Sequence, residues 1–349
     1  MQRQRSNADI LVVLGATAQH NFTLRGITRN LQSKIAQELQ RMGIEMLEAN
    51  LDSLASLSKA FSDATYIFAT TDSNQNIFHA IQHPEVLHPG QTAPAVTTPK
   101  LRRMVWSSLP SPRKWSGGLY TKVTMFDTKD DILEIIKAKP ELQAKTSTLL
   151  VGFYATNALN VPELYGPRLE SDGVYELALP MSGEIPVPMA DLDSDMGKWV
   201  KALFEAAPGL TLVGSTELIT WAEWLRLWAK HNGVSARYRR ASTAEYSARV
   251  EGISDAVSEE FAFIEQYGFT GGDKSVVYPD QVRQSGITIE RSSMEEHIAR
   301  CDWSSILGGH NFTSHTPRSN LAVNVKDGAT FVPAIYVVEA LSFGHAREH

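Results

Sequence analysis

Short apolar runs separated by stretches of helical period fill the first half of this chain and leave few folds open to it. Residues 10–14 (Ile-Leu-Val-Val-Leu) form an apolar run ending in Gly15, the pattern of a strand buried on both faces. Further strands are predicted over residues 22–28, 44–49, 65–70, 103–107 and 148–153. Asn30 can cap a helix over residues 31–42, with Leu31, Ile35, Leu39 and Met42 on one face and Gly43 as the stop. Asp52 or Ser53 opens a short helix carrying Leu54, Leu57 and Phe61, and residues 126–137 read as another helix. Strands alternating with helices imply a parallel sheet with helices on both faces, an α/β Rossmann-like fold.

The pattern changes after about Asn157, where glycine, proline and acidic residues become frequent through Met189. Asp193 or Ser194 is the predicted cap of a helix carrying Trp199, Ala202 and Leu203. Thr220 with Glu223 has the form of a capping box for a helix bearing Trp224, Leu227 and Trp228 that stops at Gly233. Ser242 with Glu245 is a second such box, and residues 261–267 form an amphipathic helix ending at Gly268. Three parts are expected: a sheet domain over residues 8–157, a smaller and mostly helical domain over 158–307 in which the sheet receives later strands, and an extension over 308–349. The extension holds an apolar run at 330–341 that reads as a strand, a helix or a poorly packed tail.

Composition narrows the function. A hydrophobic content of 43% in 349 residues argues against overall disorder. A net charge of −6 disfavours a broad phosphate-binding surface, so direct nucleic-acid binding is not expected. Cys301 is the only cysteine, which rules out an internal disulfide and fits a reducing compartment. The basic start, Met1 to Arg5, precedes only five apolar residues, too few for a secretory signal or a membrane span. A cytoplasmic protein is therefore expected, and Asn21-Phe22-Thr23 and Asn311-Phe312-Thr313 are read as chance glycosylation patterns. No paired-cysteine or His-x-x-x-His spacing points to a metal, and no Gly-x-Ser-x-Gly elbow is present. Trp221, Trp224 and Trp228 are spaced for one helix face and read as core. Arg237, Arg239 and Arg240 read as an exposed strand edge or, more sharply, a partner contact.

Four places carry chemistry. Gly15-Ala16-Thr17 after a strand is either a plain tight turn or a turn that brings backbone amides to a pyrophosphate. Arg25-Gly26-Ile27-Thr28-Arg29-Asn30 places arginine about the end of the second strand, where it is either solvated or holds a ribose 2′-phosphate. Ser107 and Ser108 end a strand, as ligand-facing groups or as satisfied loop hydroxyls. Lys129, between Asp127 and Asp130 at the start of a helix, is either a surface ion pair or a functional ammonium.

Taken in order, these motifs resemble the NmrA-like family of atypical short-chain dehydrogenases. The resemblance runs through Val13-Leu14-Gly15-Ala16-Thr17, Leu24 to Asn30, Leu51-Asp52-Ser53 and Phe68-Ala69-Thr70-Thr71-Asp72. It continues through Val105-Trp106-Ser107-Ser108-Leu109, Phe126-Asp127-Thr128-Lys129, Gly152 to Asn157, and Pro186 to Met189 with Asp191 and Gly197. It covers about residues 8–305, and it implies NADP(H) as cofactor. Gly15, Ala16, Thr17 and Gln19 would approach the pyrophosphate, and Arg29, beside Asn30, would favour NADP over NAD. Asn50 and Leu51 would flank the adenine, and Thr70 and Thr71 the ribose. Lys129 would reach the nicotinamide ribose with a catalytic role, as in relatives resembling isoflavone reductase, and Tyr154 and Asn157 would border the nicotinamide. The family implies an NADPH-dependent oxidoreductase acting on a small organic metabolite, with Phe153, Tyr154 and Leu159 able to line an apolar pocket. The alternative it implies is a non-catalytic NADP(H)-sensing regulator, cytoplasmic or nuclear, that binds a transcription factor or other protein.

The chain also departs from the family pattern. Only seven residues separate Thr17 from Arg25, and two motif glycines and most of a first crossover helix are missing. Either the first strands connect abnormally or the sequence itself is shortened there, and both weaken the expectation of tight NADP binding. The Tyr-x-x-x-Lys pair of ordinary short-chain dehydrogenases is absent as well, since Tyr120 has Thr124 at the lysine position.

Overall fold

The computed structural model describes residues 9–13, 22–49, 54–70, 99–249, 254–283 and 286–308. Its centre is a seven-stranded sheet in the order β11-β6-β5-β4-β1-β2-β3. The strands are β1 (Asp9–Val13), β2 (Phe22–Thr28), β3 (Glu45–Glu48), β4 (Tyr66–Ala69), β5 (Arg103–Ser108), β6 (Thr146–Val151) and β11 (Thr211–Gly214). Every neighbouring pair in it is parallel. The Rossmann-like reading of the sequence is therefore correct, and a late strand, β11, closes one edge.

Strands β1 and β2 pair in parallel despite the few residues between them, and the expected first crossover itself, residues 14–21, lies outside the described residues. Asp9 lies opposite Phe22 and Val13 opposite Gly26.

Helices cover both faces. On one, α1 (Lys34–Arg41) and α8 (Leu192–Glu205) pack through Leu24, Ala36, Leu39, Phe68, Val105 and Trp199. On the other, α2 (Leu54–Phe61), α4 (Thr124–Lys137) and α5 (Pro140–Gln143) pack through Leu57, Phe61, Ile67, Met104, Ile132 and Leu142. Each large apolar side chain among them, fully buried, contributes about 1.5–3 kcal/mol by leaving water.

Two helix starts differ from the sequence reading. Helix α1 begins after Ser33, whose hydroxyl accepts the Ala36 amide at 3.2 Å. Asn30 instead accepts the Gln32 amide at 2.8 Å, holding a turn ahead of the helix. Both residues are good caps, and the one nearer the buried stripe wins. Helix α8 starts at Leu192, ahead of Asp193 and Ser194, with Asp191 at the cap position. Asp191 gives no capping hydrogen bond because its carboxylate is committed elsewhere, as described below.

The sixth strand ends at Val151, and Phe153–Tyr154 forms β7 in a different sheet, β12-β10-β7, with β10 (Pro186–Ala190) and β12 (Glu217–Thr220). Gly152 permits the switch. A Cβ there would stand 2.2 Å from the Pro188 carbonyl oxygen, which is backbone and cannot turn aside. Gly152→Ala is expected to destabilise the protein by about 1–3 kcal/mol through this overpacking, read as a lowered unfolding midpoint.

The remaining described elements are helix-rich. They are α3 (Pro112–Trp115), α6 (Asn157–Asn160), α7 (Pro162–Tyr165), α9 (Trp221–Asn232), α10 (Thr243–Ser247), α11 (Ser254–Tyr267), α12 (Pro279–Val282), α13 (Met294–Arg300) and α14 (Ser304–Leu307). A third sheet, β13-β9-β8, joins β13 (Ala236–Arg240), β9 (Tyr175–Leu179) and β8 (Arg168–Leu169). Helix α9 is capped by Thr220 and stopped by Gly233 at φ 65°, as its sequence specifies. Its Trp221, Trp224 and Trp228 are core residues. The arginines of β13 lie on an edge strand and are paired within the chain. Arg237 and Arg239 clasp Glu176, Arg239 also binds Glu245, and Arg240 binds Glu265.

Candidate functional site

Strand register brings Arg29, Thr70 and Ser107 to one edge. Gly26, Val13, Phe68, Val105 and Ser147 form one row across the sheet. Arg29, Thr70 and Ser107 lie two or three residues beyond that row, at the C-terminal edge. The strand order reverses between β1 and β4, and in open α/β sheets ligands bind outside the strand ends at this reversal.

Lys129 is the chemical centre of the edge. Helix α4 is pinned to β5 through its backbone: the Trp106 Nε1 and the Ser108 hydroxyl both donate to the Lys129 carbonyl, each at 3.2 Å. The side chain then reaches the sheet edge. Its Nζ donates to Thr70 Oγ1 at 3.2 Å and to the Ser107 carbonyl at 3.3 Å. Both acceptors are neutral, and among the described residues the ammonium has no ion pair. Burial lowers its pKa to about 8.

The acidic neighbours of Lys129 are engaged elsewhere, so the surface ion-pair reading is set aside. Asp127 accepts from the Ser111 hydroxyl at 2.6 Å and the Arg113 amide at 3.3 Å, and burial raises its pKa. Asp130 pairs with Lys114 at 3.3 Å. Ser108 is satisfied by the Lys129 carbonyl, which favours its loop-hydroxyl reading.

The two arginines of the second strand have different fates. Arg25 lies within β2 and is buried, donating to Glu45 at 2.9 Å and to the Ala60 carbonyl at 2.9 Å. Arg29, past the strand end, is exposed, as is Asn30. Tyr154 in β7 is partly buried, and burial with the nearby charge of Glu260 raises its pKa to about 12. Asn157 opens α6 and is also partly buried. The other expected contacts, Gly15, Ala16, Thr17, Gln19, Asn50, Leu51 and Thr71, lie outside the described residues.

Sequence reasoning missed Glu260. It sits on α11 at 6% exposure, in the stripe formed by Val257, Phe261 and Ile264. A carboxylate at helical spacing within an apolar stripe is the signal, but it lies ahead of the helix predicted over 261–267, which in the structure begins seven residues earlier, at Ser254. Sequence reasoning also missed the buried cluster around Asp191. There His297 Nδ1 approaches Asp191 Oδ1 at 3.3 Å, Arg300 binds the other oxygen, and the Ser292 hydroxyl donates to it at 3.2 Å. Next to it, Asp195 takes the Thr216 hydroxyl at 2.7 Å and Lys198 at 2.8 Å.

Comparison with known proteins agrees with this architecture. The model of the NmrA-like family matches residues 11–297. An NmrA-like family domain-containing oxidoreductase, cpsB, from Aspergillus campestris is 22% identical over 248 residues, covering 67% of this chain and 73% of the relative. The structure of NmrA, a negative transcriptional regulator, in complex with NADP superposes with a TM-score of 0.62 at 18% identity, covering 88% of this chain and 99% of that one. An NADPH-dependent quinone oxidoreductase from Escherichia coli, complexed with NADPH, gives a TM-score of 0.57 at 15% identity, covering 83% and 98%. Among the described residues no helix is long and apolar enough to cross a membrane. The chain belongs to the NmrA-like family.

Proposed function

We propose that this protein is an NADP(H)-dependent oxidoreductase acting on a small organic metabolite in the cytoplasm. The observation that carries the reading is the Lys129 ammonium. It is partly buried at the C-terminal ends of β4 and β5, beside the reversal between β1 and β4, is held by two neutral oxygens, and has three N–H donors for these and a ligand. A desolvated cation without a described counter-charge suits a ligand rich in hydroxyl and phosphate oxygens. The residues at this edge fit the cofactor on that ground. NADPH, when bound, supplies a hydride. Lys129 and Thr70 would hold the nicotinamide ribose, Arg29 with Asn30 would take the 2′-phosphate, and Tyr154 and Asn157 would border the nicotinamide. Gly15, Ala16, Thr17 and Gln19 would approach the pyrophosphate, Asn50 and Leu51 the adenine, and Thr71 the ribose.

We place the division of labour at 8–157 for the cofactor unit and 158–307 for the substrate unit, with 308–349 as an extension. The relatives support the reading in kind, since they include an oxidoreductase and a protein complexed with NADPH. Because the NADP-bound NmrA is a transcriptional regulator, the test must separate turnover from sensing. Purified protein is mixed with NADPH and a panel of quinones, ketones and enones, and loss of NADPH absorbance is followed. Turnover with one class supports the enzyme. Differential affinity for NADPH and NADP+ without any turnover would replace it with a sensor of cofactor redox state.

Arg29→Ala is expected to weaken NADPH by about ten-fold or more while changing NADH little, because only NADPH carries the 2′-phosphate. Calorimetric titration of both cofactors checks this, and equal losses would remove Arg29 from the role.

A further inference from the structure

We propose that Cys301, activated by His297 and Asp191, is a site of covalent addition for neutral conjugated enals and enones. The inference is independent of the oxidoreductase reading, since it concerns a side-chain cluster built on α13 and the start of α8.

Three side chains form a line from the interior to the surface. The Cys301 sulfur lies 3.5 Å from His297 Nε2, and His297 Nδ1 lies 3.3 Å from Asp191 Oδ1. Asp191 is fully buried, His297 is 2% exposed, and Cys301 is partly exposed. Of the three residues only Cys301 is open to solvent, which places the nucleophile where a reagent arrives. Sequence spacing supplies the first contact, because residues four apart share one helix face and side chains lean back toward the helix N-terminus. Cys301 stands at the C-cap of α13, and its sulfur reaches His297 one turn earlier. Helix α8 supplies the second contact, since Asp191 stands at its cap position with the carboxylate turned toward α13.

Asp191 is fixed as the orienting anion. Its Oδ2 binds Arg300 and accepts from the Ser292 hydroxyl at 3.2 Å. Apart from the imidazole contact, its Oδ1 has no partner among the described residues. The carboxylate thus holds the Nδ1 proton and leaves Nε2 for the sulfur. One proton is then shared between Nε2 and Sγ. On nitrogen it leaves an imidazolium beside a thiolate, the nucleophilic form of cysteine. The carbonyl end of α13 opposes this arrangement, but it carries a partial charge, and the imidazolium is a full charge in direct contact.

Addition to a conjugated carbonyl matches what the cluster holds. Sγ attacks the β-carbon and forms the C–S bond, while the C=C π pair moves through the carbonyl to oxygen as an enolate. The Nε2 proton passes to the α-carbon, leaving a thioether and a neutral imidazole. No group leaves, and no oxidant is consumed. Cys301 packs against the apolar core around Trp303 and Ile298, and Asp302 stands exposed beside it. A neutral, partly apolar electrophile is therefore favoured over an anion.

The chain carries one thiol, so the adduct has a single expected position. The full-length protein and glutathione are mixed with cyclohexenone at pH 7, and both adducts are followed by mass spectrometry. Cys301 is expected to react about ten-fold faster than glutathione, because an unassisted thiol is only a few per cent thiolate at neutral pH. Unfolding in urea should remove the advantage. His297→Asn, shown by circular dichroism to be folded, should react no faster than glutathione. If that variant does not fold, the native and unfolded wild-type chains still decide the matter. An advantage under about three-fold over glutathione or over the unfolded chain overturns the proposal. So does a folded His297→Asn that reacts as fast as wild type, or an adduct located on a residue other than Cys301.

Discussion

Asp191→Asn is expected to destabilise the fold by about 3–5 kcal/mol, among the largest effects of any single substitution here. Asp191 is fully buried at the start of α8. Burial alone would raise its pKa, but His297 and Arg300 outweigh burial and hold it well below the usual carboxylate range. His297 is buried too; burial lowers its pKa, and its contacts with Asp191 and Cys301 raise it to about 9. Asparagine would leave a buried imidazolium and a guanidinium without their counter-charge. The pH dependence follows from the directions of the two shifts. The carboxylate contribution is present above its ordinary pKa and is lost as pH falls toward its depressed one. The imidazolium contribution is complete below its ordinary pKa near 6.5 and is lost as pH rises through about 9. Urea unfolding at pH 7 and pH 9.5 checks both statements. Wild type should lose stability between these values and Asp191→Asn should lose much less, whereas an unchanged midpoint in the variant at pH 7 would contradict the account.

Lys129→Met is expected to lower kcat by on the order of 10²–10⁴, with folding retained. The loss should fall on turnover because the side chain leaves α4 for the sheet edge and packs no core cluster. Its backbone carbonyl, which anchors α4 to Trp106 and Ser108, is untouched by the substitution. The sign of the pH effect is fixed by burial. The folded-state pKa is lowered from 10.5 to about 8, so the ammonium donor is present below pH 8 and is lost above it. In the free enzyme kcat/KM should therefore fall as pH rises through about 8, and Lys129→Met should show no such limb. The same shift means that the unfolded chain binds more protons between pH 8 and 10.5. Charge burial at Lys129 thus costs stability below pH 8, and methionine should not lower the melting temperature at pH 7. A variant that melts early would indicate a structural lysine.

Much of this architecture is legible in local sequence. Strand β2 follows its predicted bounds because Phe22 to Thr28 is flanked by clear turn residues. Helix α9 begins and ends where Thr220 and Gly233 place it, since caps act within a few residues of chain. The errors arise where distant chain decides. Thr146 and Ser147 look like a turn, yet they extend β6 because Met104 and Val105 pair with them from β5. Residues 152–154 leave the large sheet because Pro188 approaches Gly152 from a strand more than thirty positions away. Strands β8 and β9 carry little alternation, and β9 is buried throughout, so no period of two marks them.

The candidate site divides the same way. Lys129 stands out in sequence only through the ordered motifs around it, because a lysine between two aspartates looks like any solvated helix turn. Its meaning comes from Thr70 and Ser107, which reach it from two other strands. Arg25 and Arg29 are alike as letters, and only the strand end between them separates a side chain buried within β2 from one exposed beyond it. Glu260 carried a readable signal, since a charge within an apolar helical stripe is either an error in the pattern or a functional group.

The account stands on whether a chain with so short a first crossover still holds NADPH. Calorimetric titration of the purified wild-type protein with NADPH and with NADH tests this directly. The account predicts saturable NADPH binding, at least about ten-fold tighter than NADH because of the 2′-phosphate. Absence of NADPH binding at millimolar concentration, or equal affinity for the two cofactors, would contradict it.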